Sequence, residues 1–159
     1  MVKLAIRTNF LVAALMTLAG ANTVLAAEVD SYKKTGVVAG EIRSVQYHKD
    51  RVELEIHAPD STPAGEKAHV SFTATFWTDE AVGGAGRYED RGGVYGGDGE
   101  ATRFFSSGIW KRVTKKGDSN HRWTMKTLGV IGDGGTYFAT GVFDQKTMTF
   151  KAEVYETGL

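Results

Sequence analysis

The chain has 159 residues, with 19 basic side chains against 19 acidic ones and no cysteine. That length suits one domain, and the balanced charge provides no basic face for nucleic acid. The missing cysteine excludes disulfides, thiol chemistry and a lipid-bearing cysteine at a cleavage site, so a hydrophobic core alone must hold the fold.

The first segment reads as a secretory signal peptide over residues 1–26. Lys3 and Arg7 supply a positive start, Phe10 to Ala19 is a short apolar run, and Val24-Leu25-Ala26 places small or apolar residues at a signal-peptidase site. Leu25-Ala26-Ala27 is a site shifted by one residue. A membrane anchor needs about 20 apolar residues, and Thr17, Gly20, Asn22 and Thr23 break this run too early. No membrane anchor is expected. Lys3 and Arg7 are not adjacent, so the twin-arginine pattern is absent. Cleavage removes these two basic residues and no acid, which takes the balanced total to −2. Asn9, Asn22 and Asn120 all lack the Ser or Thr of a glycosylation site. The expected location is periplasmic or secreted.

Residues 27–159 read as a single domain rich in alternating apolar and polar positions, the pattern of half-buried strands. A first strand is expected at about 36–47. Arg51 to Ala58 alternates strictly, with Val52, Leu54, Ile56 and Ala58 on one face. Lys67 to Thr78 repeats this, with Ala68, Val70, Phe72, Ala74 and Phe76 inward. The connection Pro59 to Glu66 is turn chemistry, and so short a link requires an antiparallel return. A fourth strand falls within 86–95, in the glycine-rich stretch 83–99. Glycines there mark bulges in a bent strand or, on a functional reading, a flap over a cavity mouth. Four more strands follow at 101–113, 121–131, 136–144 and 148–156, joined by short turns.

Eight strands in an up-and-down antiparallel meander leave two edges unless the sheet closes, so the expected fold is all-β, an eight-stranded barrel. A two-sheet β-sandwich is the alternative, with residues 78–100 as the long crossover.

Nucleotide-binding glycine motifs, a calcium β-roll and a Gly-x-Ser-x-Gly nucleophile elbow all fail on spacing or context. Ser106-Ser107-Gly108 reads as sheet surface. The acids Asp79-Glu80, Glu89-Asp90, Asp98 and Glu100 read as solvated loop residues. No cofactor is expected. A symmetric Pro59–Glu66 loop sets Ala58 opposite Ala68, Ile56 opposite Val70 and His57 opposite His69, so two imidazoles could share a metal ion, with Glu55 as a third ligand. Two exposed histidines are the plainer reading. Lys111, Arg112, Lys115 and Lys116 form a positive hairpin tip, an ordinary solvated turn or a contact for an anion.

The strand 103–113 is apolar on both faces: Phe105, Ile109 and Val113 on one, Phe104 and Trp110 on the other. A symmetric turn over 115–120 sets Val113 opposite His121, Ile109 opposite Met125 and Phe105 opposite Gly129. The expected ligand-binding face is therefore Phe105, Ile109, Trp123 and Met125, with His121 near the rim and Gly129 leaving space. The second apolar face must meet a partner, a second copy of the chain, or the segment 28–35.

At the level of fold, the pattern resembles the small exported barrels of the lipocalin (calycin) and allene-oxide-cyclase type. The lipocalin Gly-x-Trp is absent near the first strand, and Gly108-Ile109-Trp110 has that spacing only mid-chain. Architecture of this kind hosts several functions. The first expectation is a non-catalytic protein binding a small apolar ligand in the barrel. An isomerase or cyclase acting in the same cavity is the second, with His121 as its acid or base. A structural or self-associating protein, a homo-oligomer, is the third. An interior filled with side chains would remove the first two.

Overall fold

A computed structural model describes residues 32–78, 81, 84–97, 99–113, 121–132 and 134–157. The expected signal peptide, residues 28–31 of the 28–35 segment, the whole Lys115–Asn120 turn with Lys115 and Lys116, and the acids Asp79, Glu80 and Asp98 lie outside these residues. The described chain forms β1 (Lys33–Tyr47), β2 (Arg51–Ser61), β3 (Ala68–Trp77), β4 (Ala85–Tyr95), β5 (Ala101–Arg112), β6 (Arg122–Ile131), β7 (Gly135–Asp144) and β8 (Thr149–Glu156). Every neighbouring pair is antiparallel, and β8 returns to β1 to close a barrel in chain order. The barrel is the fold, and the sandwich alternative is set aside. Residues 78–100, its expected crossover, instead contain β4, which pairs with β3 on one side and β5 on the other.

Alternation decides what fills the interior. Val52, Leu54, Ile56 and Ala58 of β2 point inward with Val70, Phe72, Ala74 and Phe76 of β3, and all are buried. The glycine-rich stretch is a working strand: Tyr88, Asp90, Gly92 and Val94 share its inner face. A Cβ on Gly92 would lie 2.2 Å from the Ser71 carbonyl oxygen, so glycine here allows β3 and β4 to approach closely. Residues 85–95 form a regular strand paired on both sides without a bulge, so the bulges expected from its glycines are absent and these residues are not a flap.

Two expected registers need correction. Between β2 and β3 the structure pairs Ala58 with Val70, Ile56 with Phe72, and His57 with Ser71. The turn is not symmetric. β2 runs on to Ser61 through a bulge after Ala58, and Thr62 exchanges backbone hydrogen bonds with Val37 at 3.1 and 2.7 Å. This displacement of two residues leaves every side chain on its expected face.

Between β5 and β6 the displacement is one residue, which exchanges the faces. The Val113 amide donates to the Arg122 carbonyl at 2.9 Å, Trp110 pairs with Met125, and Phe105 pairs with Val130. Phe104, Ser106, Gly108 and Trp110 consequently point inward. Phe105 and Ile109 point outward, at 48% and 62% exposure. They join Leu128, Val130, Phe138 and Val142 in an outer apolar face across β5 to β7. Because β5 is apolar on both sides, alternation alone could not choose between them. The β5–β6 register decides it.

Candidate functional site

The barrel interior is packed at one end and hollow at the other. At the packed end Phe76 is the centre of an aromatic plug. Its ring lies 4.7 Å from Trp123, 4.9 Å from Phe143, 5.2 Å from Tyr88 and 6.3 Å from Trp110. Edge-on and tilted contacts of this kind are the favoured aromatic geometries. The strands deliver these residues together because each lies near the same end of its strand, alternately a start and a finish.

Toward the other end the same inward faces carry smaller or more widely spaced groups. They enclose a cavity of about 550 Å³. Val70, Phe72, Val94, Phe104, Phe150 and Val154 make its apolar wall, while Lys33, Pro63 and Glu156 border its mouth.

A band of polar groups lies between plug and cavity. Tyr88 donates its hydroxyl to Asp90 Oδ2 at 2.7 Å, and Ser106 Oγ lies 2.6 Å from Asp90 Oδ1. Thr127 Oγ1 contacts Ser106 Oγ at 2.6 Å and donates to the Ser107 carbonyl at 2.9 Å. The Tyr137 hydroxyl also hydrogen-bonds Ser106. Asp90 and Ser106 face each other across β4 and β5, while Gly129 sits between Ser106 and Tyr137 across β6. The band thus comes from inward positions of four successive strands at one level.

Burial dominates the electrostatics. Asp90 is 5% exposed, and its burial pushes the carboxyl above the usual carboxylate range, opposed by the hydrogen bonds from Ser106 and Tyr88. Burial, followed by the nearby Asp90, also raises the Tyr88 and Tyr137 phenols well above the ordinary tyrosine value. Asp90 and Tyr137 are the two members of the band that line the cavity.

The expected site residues are divided by this geometry. Trp123 and Met125 are inside, at 7% and 3% exposure; Met125 borders the cavity and Trp123 belongs to the plug. Phe105 and Ile109 are on the outer wall, so the shared face expected for these four residues does not exist. His121 is exposed just before β6, where its carbonyl accepts from the Gln145 amide at 2.9 Å. That is the plugged end of the barrel, away from the cavity, whereas a place at the cavity rim was expected. Gly129 faces Ser106 and Tyr137, not Phe105, and the tyrosine ring uses its space.

His57 and His69 do meet on the outer wall, diagonally instead of directly opposite, with ring centres 4.3 Å apart. The Arg43 guanidinium lies 3.4 Å from His57 Nδ1, an unfavourable neighbour for a cation. Glu55 takes a hydrogen bond from Ser44 instead of joining the histidines. Among the described residues no group of three His, Cys, Asp or Glu side chains is placed to hold a metal ion.

Sequence reasoning missed Asp90 and Ser106. Asp90 reads as a loop acid and Ser106 as sheet surface, yet both are buried inside the barrel. The signal was the inward alternation Tyr88, Asp90, Gly92, Val94 beside Phe104, Ser106, Gly108, Trp110, which the β4–β5 register brings level.

The class defined by fold and cavity is an eight-stranded antiparallel barrel with one packed and one hollow end. Compared with family models, with curated proteins and with solved structures, the chain matches none.

Proposed function

We propose that this protein binds a small apolar molecule inside the barrel and acts as a carrier, after export through the leader at residues 1–26. The observation that supports this is the cavity of about 550 Å³, with its apolar wall and its few convergent polar groups. Ligand pockets are commonly about 300–1,000 Å³ and built in this manner. A cavity-narrowing variant, Val94→Trp, tests the reading. It should abolish binding of an uncharged naphthalene in calorimetry while the circular dichroism spectrum stays that of the wild type. Binding that survives the substitution places the ligand elsewhere.

A second reading is an isomerase or cyclase working in the same chamber. It is favoured by one observation, the Asp90 carboxyl at the chamber floor. Recovery of bound molecules in unchanged chemical form supports the carrier, and recovery of a rearranged product supports the enzyme.

A further inference from the structure

We propose that the outer wall of β5 to β7 docks on a lipid bilayer whose surface carries anionic headgroups. The proposal concerns the outside of the barrel and does not depend on the chamber.

The register sets this wall out in rows. Phe105 stands opposite Val130, while Ser107 is followed across the sheet by Leu128 and then Phe138. Ile109 stands opposite Lys126, and Lys111 is followed by Thr124 and then Val142. Among the described residues seven large apolar side chains are at least 40% exposed. Five of them, Phe105, Ile109, Leu128, Val130 and Val142, belong to this one wall. Apolar groups gathered in this way mark a contact surface, whereas single scattered ones would not.

The charges among and around them share one sign. Arg103, Lys111, Arg122 and Lys126 are all exposed on β5 and β6. The one acid in the three strands, Asp144, is held by Arg122 at 2.6 Å. Arg91, opposite Phe105 on β4, and Lys151, opposite Val142 on β8, continue the positive charge at both edges. The acids beside them are already engaged, Glu89 with Arg87 at 3.5 Å and Glu153 with Lys34. The chain as a whole balances 19 basic residues against 19 acidic ones, so the asymmetry lies in placement.

Exposed apolar groups interleaved with Lys and Arg match the chemistry of an anionic membrane surface. The apolar side chains enter the boundary between headgroups and acyl chains. Lys111 and Lys126 can lay their stems along apolar surface and keep their ammonium groups at the lipid phosphates. A second copy of the chain fits this wall less well. A two-fold contact sets the patch against itself, which would bring these cations together, and like charges across an interface are costly. The wall of a closed barrel is also convex. A fluid bilayer moulds to such a surface, while a protein partner needs a matching hollow.

Co-sedimentation with vesicles of phosphatidylcholine, with and without phosphatidylglycerol, tests this. The wild type should bind the mixed vesicles and not the neutral ones, and added salt should weaken that binding. K111Q/K126Q should weaken it by roughly fivefold for each charge removed. I109S/L128S should weaken it too, whereas Y47S, at an exposed position on β1, should change nothing. Residues 1–26 are common to all these proteins, so the differences between variants report on the wall. Equal binding to both kinds of vesicle, binding to neither, or binding unmoved by both double variants overturns the proposal. A concentration-dependent dimer in sedimentation velocity, dissolved by I109S/L128S, would make the wall an interface between copies and overturn it as well. Should I109S/L128S fold poorly by circular dichroism, K111Q/K126Q decides alone.

Discussion

A Cβ built on Gly129 would lie 2.5 Å from Cζ of the Tyr137 ring, which crosses the glycine toward Ser106. The ring occupies the volume that any other residue at position 129 would need. Gly129→Ala should therefore overpack the barrel and cost about 1–3 kcal/mol, measured by urea unfolding. Tyr137→Ala should relieve much of that cost, so the double variant should be markedly less unstable than the two single losses imply. Simple additivity would show that the ring is not what excludes a side chain there.

Asp90 gives the protein a dependence on pH opposite to that of a salt-bridged carboxylate. Its folded value is raised, while the unfolded chain ionises near the ordinary value of about 3.9. Below that value both states hold the proton and burial carries no ionisation penalty. As pH rises above it, only the unfolded state loses its proton, and stability falls until the folded carboxyl ionises too. The slope is about 1.4 kcal/mol per pH unit between the two values. Asp90→Asn should remove this slope and should be more stable than wild type at neutral pH. Denaturant titrations across the acid range would expose the error if the two proteins lose stability in parallel.

The two faces of β5 and β6 should respond to substitution very differently. Met125 is buried opposite Trp110, and Met125→Ala should cost about 2–5 kcal/mol. Ile109→Lys, on the outer wall, should change stability by only about 0.5 kcal/mol or less. Comparable losses at both positions, read from thermal or urea unfolding, would show that the one-residue register shift is misassigned.

If residues 1–26 are a leader processed at Val24-Leu25-Ala26, as the sequence predicts, export should leave Ala27 as the first residue. Intact-mass measurement on protein collected outside the cytoplasm checks this. A mass that retains the Phe10–Ala19 run would end the leader reading.

Strand number, order and pairing direction were legible in the sequence because alternation and short polar turns act within one strand or one hairpin. Register depends on how each turn is built, and there the residues gave less. β2 tolerated a two-residue error without consequence because Val52, Leu54, Ile56 and Ala58 can face only one way. β5 did not, since Phe105 and Ile109 are as apolar as Phe104 and Trp110 and nothing local ranks them. The polar band was hidden for a related reason. Asp90, Ser106, Thr127 and Tyr137 lie far apart along the chain, and each is unremarkable until three registers bring them level. The cavity itself depends on the combined volume of many inward side chains, which no single hairpin encodes.

Among the described residues, the aromatic plug around Phe76 closes the chamber at one end, and Lys33, Pro63 and Glu156 border the other. On the carrier reading, a guest would leave by the route it came in, past Lys33, Pro63 and Glu156. Holding and release would then be separate steps at opposite ends of one path. Substitutions at the floor should alter how long a guest stays, and substitutions at the mouth should alter how quickly it arrives and leaves alike. A guest longer than the chamber can be held only with its far end protruding between those three residues, where a second protein could take hold of it.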